Sequence, residues 1–218
     1  MLARLRLLRR SQDAGMSLVE LLVYSVLLLV VVAVTGSLLI SSLRTQRSAI
    51  DNGQATSSAQ VAFADIERAV RNASEVQVYQ VSGTGFQTAA VGASGNLLIT
   101  KTRIAADGGV TSSWRCARWY YDSNHANADG TKGALLSDDY TPVTTSVTAI
   151  TLSTAQGWGL VLSSTGPASG ASGVFTQRDS GVALSLGARV TGSPSISLES
   201  TVSIRTQNDA TGSGTCLP

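Results

Sequence analysis

The hydrophobic pattern divides the chain into three regimes. Residues 16–40, MSLVELLVYSVLLLVVVAVTGSLLI, are apolar almost without interruption, and Glu20 is their only charge. Twenty-five residues of helix rise about 37 Å, enough to cross a hydrocarbon core roughly 30 Å thick. Residues 41–75 contain no Pro and one Gly, Gly53. Within them Phe63, Ile66 and Val70 follow the 0, +3, +7 spacing of one helix face. Asp65, Glu67, Arg68 and Arg71 lie on or beside the opposite arc. The apolar helix is therefore expected to continue as an amphipathic half, with a weak point near Gly53.

From Val76 the period changes to two. Strands are predicted at 76–81, 96–102, 110–122, 147–152, 158–163, 182–190 and 195–205. In the last, Ile196, Leu198, Val202 and Ile204 suit one buried face, with a shift of register near Glu199–Thr201. Turn signals close the first strand (Ser82-Gly83-Thr84-Gly85) and follow the second (Asp107-Gly108-Gly109). SNHANADGTKG, residues 123–133, and SSTGPASGASG, residues 163–173, read as loops, the second as a flexible connector. Helix followed by strands implies an α+β fold, with an antiparallel sheet lying against the amphipathic helix.

Charge sharpens the picture at the amino end. Arg4, Arg6, Arg9 and Arg10 against Asp13 give residues 1–15 a net +3, while the 218-residue chain carries +2. The remainder is thus slightly acidic, which disfavours a protein that binds nucleic acid mainly by neutralising phosphates. Four Arg before the apolar stretch, against Arg44 and Arg47 with Asp51 after it, favour a cytoplasmic amino terminus and an exported remainder. Three readings of this start compete. A secretory signal has a shorter apolar region and an A-x-A-like cleavage site, whereas Thr35, Gly36 and Ser37 follow here. A plain uncleaved anchor fits length and orientation, but explains neither Gly15 before Met16 nor the carboxylate inside the apolar run. The third reading starts from that carboxylate, since a charged side chain in hydrocarbon is costly and usually partnered. The bland account is that Glu20 snorkels near the membrane surface. Cleavage between Gly15 and Met16, however, removes the +3 block and creates an α-amine four residues before Glu20. That amine can pair with the carboxylate of a neighbouring copy, offsetting the cost of burial and fixing the register of packed helices.

Gly15-Met16-Ser17-Leu18-Val19-Glu20, followed by about twenty apolar residues, resembles the prepilin leader of type IV pilins and type II secretion pseudopilins. The resemblance implies that a membrane aspartyl peptidase cuts after Gly15 and that Met16 is N-methylated. It also implies that Glu20 orients the subunit during filament assembly. Met16 stands where Phe is commonest in the family, the leader is long, and the usual Pro within the apolar helix is absent. Residues 65–76 loosely resemble the helix-to-sheet passage of larger minor pilins, the PilW-like and J-type group. The implied organisation is a cleaved leader (1–15), a transmembrane and assembly helix (16–40), its amphipathic continuation (41–75) and a β-rich exported head (76–218). The implied partners are other pilin subunits, the prepilin peptidase, an inner-membrane assembly platform and, before assembly, membrane lipid. Motility pilus, competence pilus and secretion pseudopilus all fit the resemblance. The rival reading is a single-pass anchored surface protein such as an adhesin.

Chemistry in the head is sparse, so no catalytic residue, cofactor or metal set is expected and the protein reads as a non-enzyme. His125, the single His, falls in a polar loop. No G-x-S-x-G elbow or phosphate-cradling Gly loop occurs. Asp122, Asn124, Asn127 and Asp129 gather oxygens before Gly130 but lack the EF-hand spacing. They form either a polar turn or a calcium site of another geometry. Cys116 and Cys216, the only cysteines, suit a disulfide in an exported domain. The loop between them would restrict the unfolded chain by up to about 4.7 kcal/mol in the entropic model. Trp114, Arg115, Arg118, Trp119, Tyr120 and Tyr121 mix basic and aromatic character as single-stranded DNA binders do, but alternation splits them between two faces.

Overall fold

The computed structural model describes residues 17–104, 113–128, 130–140, 150–168, 171, 173–188, 196–205 and 216. Gly15, Met16 and the rest of the expected leader lie outside these residues, as do the 107–109 turn, Asp129 and residues 147–149. The chain divides into two compact units between Ala49 and Ile50. Helix α1 (Leu18–Asn72) runs through that boundary, and neither Gly36 nor Gly53 breaks it.

In the first unit α1 is an unburied apolar rod. Its most apolar 18-residue window has a mean hydropathy of 2.7 and none of it is buried, so it is long and apolar enough to span a membrane. Its hydroxyls turn back onto the helix's own carbonyls. Ser25 donates to Leu22 O at 2.8 Å, Thr35 to Val31 O at 2.8 Å and Ser37 to Val34 O at 2.9 Å.

In the second unit α1 becomes one-sided. Ala59, Ala62, Ile66 and Val70, spaced 0, +3, +7 and +11, are buried, and Phe63 packs beside them. Val61, on the far side, is 68% exposed. Arg71 pairs with Glu67 one turn earlier. The helix ends at Asn72, three residues earlier than its expected continuation, because Ser74 already hydrogen-bonds Lys101 O through both its N–H and its hydroxyl.

The strands are β1 (Glu75–Ser82), β2 (Gly85–Thr88), β3 (Ser94–Gly95), β4 (Leu97–Ile104), β5 (Ser113–Ala126), β6 (Lys132–Tyr140), β7 (Gly159–Ser163), β8 (Thr165–Pro167), β9 (Phe175–Arg178), β10 (Gly181–Ala188) and β11 (Ile196–Ser203). They form two sheets, where one was expected. The first has the order β2-β1-β4-β5-β6-β7; the second is β11-β10-β9-β3, with β8 also on β10. Each strand pair is antiparallel. The α+β class therefore holds, with two sheets.

One core joins α1 to both sheets through Leu98, Trp119, Leu135, Phe175, Val182 and Leu186, among others. A second core covers the opposite face of the first sheet and holds Tyr79, Leu97, Ile99, Tyr120, Leu136 and Cys216. The first sheet is thus buried on both faces. That removes the polar-out alternation from its central strands and explains continuous runs such as Leu97-Leu98-Ile99.

Several expectations need correction. The 123–133 segment is mostly strand: β5 continues to Ala126 across an irregularity after Asp122, and β6 begins at Lys132. β6 had no counterpart in the sequence reading. Its Gly133, at φ +100, lies where a Cβ would meet Thr165 O at 2.1 Å, so the glycine serves close packing and does not mark a loop. The 147–152 strand is not observed over its described residues. Leu152 instead opens a short helix, α2 (Leu152–Gln156), capped by Thr151, whose hydroxyl accepts from Thr154 N–H. Within 163–173, Thr165–Pro167 pair with β10, entered through Ser164 at φ 54, so this part is not a free connector. β11 keeps one register along β10, with no shift near Glu199–Thr201, because Ser200 takes a place on the inward face. β2, β3 and β9 were also absent from the sequence reading.

Ile66 is 1% exposed, so Ile66→Ala is expected to destabilise the second unit by about 2–5 kcal/mol. Val61→Ala should change stability by less than about 0.5 kcal/mol. Urea unfolding of the full chain in detergent, followed by tryptophan fluorescence, checks the contrast.

Candidate functional site

Two features carry the candidate chemistry: the exposed start of α1 and the cysteine pair of the head. Glu20 sits in the first turn of α1, where a carboxylate faces the helix's unsatisfied N–H groups and is favoured by the helix dipole. Its neighbours Leu18, Val19, Leu21 and Leu22 are all exposed and apolar. Tyr24, one turn on, donates its hydroxyl to Glu20 Oε1 at 3.5 Å, a long bond. This i, i+4 partner is legible in the sequence as a hydroxyl one turn from the carboxylate, yet it was missed. Gly15 and Met16, the expected cleavage and methylation residues, lie outside the described residues.

Cys116 and Cys216 are joined in a disulfide with a Cα–Cα distance of 5.7 Å, across a separation of 100 residues. Both are 0% exposed. Cys116 lies in the middle of the first sheet, where it pairs with Lys101 of β4 and Tyr140 of β6. The bond therefore brings a residue near the carboxyl end of the sequence into the second core, next to Ile99, Tyr120 and Leu136.

The aromatic and basic residues of β5 divide as alternation requires; one set is buried, while in the other Trp119 is buried, Tyr121 half-buried and Arg115 exposed. On one face Trp114 is 8%, Arg118 8% and Tyr120 3% exposed; on the other Trp119 is 3% exposed. Both faces of β5 therefore contribute to a core. Lys101 stacks 4.3 Å from the Trp114 ring centre and pairs with Glu75, while Arg118 lies over Trp158 and 3.6 Å from Asp138. Arg115 pairs with Asp139 at the surface. These cations and rings are engaged with one another and with acids of neighbouring strands.

The oxygen cluster is used internally where it is described. Asp122 accepts from Asn124 N–H at 3.0 Å and from Gln156 at 3.4 Å; Asn127 donates to Thr131 Oγ1 and to Gly133 O. His125 lies on β5, not in a loop. Among the described residues no group of three or more His, Cys, Asp or Glu is placed to hold a metal ion. No family model, curated protein or solved structure matches the chain.

Burial has one titration consequence. Tyr120 is pushed up to about 12 by burial, with Asp122 adding to the rise. Tyr79 is raised further by burial, with Glu75 contributing. A phenol whose folded pKa is raised contributes stability that is complete below its unfolded value near 10 and is lost as pH rises from there through the folded value. In the oxidised full chain, part of the tyrosinate absorbance at 295 nm should therefore appear only near pH 12 and together with unfolding. Reducing the disulfide should move that fraction toward pH 10. An oxidised chain whose tyrosines all titrate near pH 10 would contradict the packing of the second core.

Proposed function

We propose that the chain is a minor type IV pilin or pseudopilin: a non-enzymatic filament subunit, cut after Gly15 by a prepilin peptidase and assembled through α1. The observation that carries this reading is an unburied apolar stretch, residues 16–40, whose one charge, Glu20, falls five residues after Gly15. A plain anchor does not require a carboxylate in that position. A filament does, because cleavage creates the Met16 amine as its partner. On this reading the leader faces the cytoplasm and the head is exported. The helix is held in lipid and on an inner-membrane platform until neighbouring subunits replace lipid around it. The amphipathic half and the head then move as cargo on that helix. Tyr24 supplies Glu20 with a hydroxyl inside the same helix before an intersubunit amine is available. The Cys116–Cys216 bond suits a head that folds outside the reducing cytoplasm.

The reading makes opposite predictions for two steps when Glu20 becomes Leu. Membrane insertion and leader cleavage should be normal or improved, because an apolar residue replaces an ionisable one. Assembly should suffer, because the Met16 amine loses its partner in an apolar environment, a penalty of about 3 kcal/mol or more. Sheared filament fractions at matched membrane levels should then contain less than roughly one tenth of the wild-type amount. Equal incorporation of Glu20→Leu and wild type removes Glu20 from assembly and favours the single-pass anchored adhesin.

A further inference from the structure

The part of α1 that opens the second unit lacks tertiary support. Residues 50–58, IDNGQATSS, include no buried residue and none that belongs to either core; the first buried position is Ala59. Residues 41–49, described by themselves, are exposed throughout. Most helical stability in a folded protein comes from packing an apolar face, so where none is packed intrinsic propensity counts for most. Six of the nine residues 50–58 are Asp51, Asn52, Gly53, Thr56, Ser57 and Ser58, all poor helix formers. Thr56 also turns its hydroxyl onto Asn52 O at 2.7 Å, a back-bond that weakens the helix's own ladder. A stretch with exposed backbone hydrogen bonds and no core contacts opens locally at far less cost than the core does.

This stretch holds the one Asn-Gly pair of the chain, Asn52-Gly53. The side-chain amide carbon of an Asn can be attacked by the backbone nitrogen of the next residue, which closes a five-membered ring. Gly is the most permissive successor, because no Cβ obstructs the approach and its backbone angles are free. Packing does not require the glycine, since nothing lies within 4 Å of where a Gly53 Cβ would stand. Closed helix blocks the ring closure in two ways. The Gly53 N–H is held in the i→i−4 ladder, and helical side chains tilt toward the amino end, away from the following nitrogen. Ring closure at Asn52 therefore proceeds from open helix, and its rate follows the population of the open form.

We infer that Asn52-Gly53 is a self-modifying joint in α1: local opening of residues 50–58 lets Asn52 cyclise, and hydrolysis leaves an isoaspartate that keeps the helix from closing again. In the first step the Gly53 nitrogen loses its proton and bonds to Asn52 Cγ, while Nδ2 leaves as ammonia. In the second step water opens the ring at either carbonyl. One opening gives aspartate; the other gives isoaspartate, with the main chain rerouted through Cγ. The net exchange is one ammonia released for one water taken up. Isoaspartate adds one carbon to the main chain and a carboxylate beside Asp51, so helical register is lost there while Ala59–Val70 stay packed. The uninterrupted α1 is the unmodified form, and its lifetime is set by residues 50–58. The chemistry takes place within a single chain and needs neither leader cleavage nor assembly, so this inference and the filament reading fail separately.

The test incubates the oxidised full chain in phosphatidylcholine nanodiscs at pH 9 and 37 °C, with a peptide of residues 48–60 as the unstructured reference. Peptide mapping by mass spectrometry follows the replacement of NH by O at Asn52, and fragment ions distinguish isoaspartate from aspartate. Asn52 in the chain should react within about a hundredfold of the peptide rate, as local opening of an unsupported stretch allows. Ser57→Ala combined with Ser58→Ala raises helix propensity without touching the reacting pair and should slow the reaction about fivefold in the chain. Ala55→Gly should speed it about fivefold. Neither change should alter the peptide rate, and an intact disulfide with unchanged near-ultraviolet dichroism establishes that each variant's head is folded. In the isoaspartate fraction, amide hydrogen exchange should lose protection across residues 50–58 and keep it at Leu97–Ile99. Reaction more than a hundredfold slower than the peptide, rates indifferent to both variants, or unchanged protection of residues 50–58 in the modified fraction overturns the inference.

Discussion

Burial of the first sheet on both faces is the constraint from which most of the head follows. A sheet covered on one side needs only alternating residues, and its other side can face water. Here α1 and the second sheet cover one face, while the second core covers the other. Each cover depends on something distant in sequence. The first needs the 59–70 stretch of α1 to present four small or apolar residues on one stripe. The second needs Cys216, a hundred residues from Cys116, to be held in place. A covalent bond is a fitting device for such a segment, because few apolar residues near Cys216 in sequence are available to hold it by packing alone. The strength of the staple and the burial of Tyr79 and Tyr120 are therefore two aspects of one interaction.

The same helix obeys different rules in its two units. After Ile50 it carries the stripe and charge pairs of a helix that covers a sheet. Before Ala49 it has no stripe at all, and its hydroxyls bond back to the helix's own carbonyls. A helix apolar all round is unfavourable in water, and in the proposed function lipid or other apolar helices surround it. Glu20 is tolerable in the first setting near the membrane surface, and in the second only with a cationic partner. That difference gives the proposed cycle its direction: lipid first, then neighbouring subunits.

Much of this was legible in the sequence, and the failures have identifiable causes. The helix was visible because Phe63, Ile66 and Val70 keep its period and no Pro interrupts it. Ala59 and Ala62 were missed because small residues contribute little to an apolar pattern, although they let the sheet approach closely. β6 was missed because two-sided burial erases alternation in Ala134-Leu135-Leu136 and because Gly133 resembles a turn signal when it serves a close contact. The 147–152 stretch looked like a strand from its β-branched residues, yet the Thr151 cap starts a helix there. Cys116 with Cys216 was readable because no other pairing exists. Glu20 stood out as the one charge of residues 16–40, and Gly15 by its place five residues before it.

The account turns on whether the chain is cut before Met16. Intact-mass measurement of the wild-type protein, purified from membranes of cells with an active prepilin peptidase, tests this directly. The account predicts a chain that begins at an N-methylated Met16 and lacks residues 1–15. A chain that keeps the leader in those cells, or one cut after the apolar stretch near Thr35–Ser37, would contradict it.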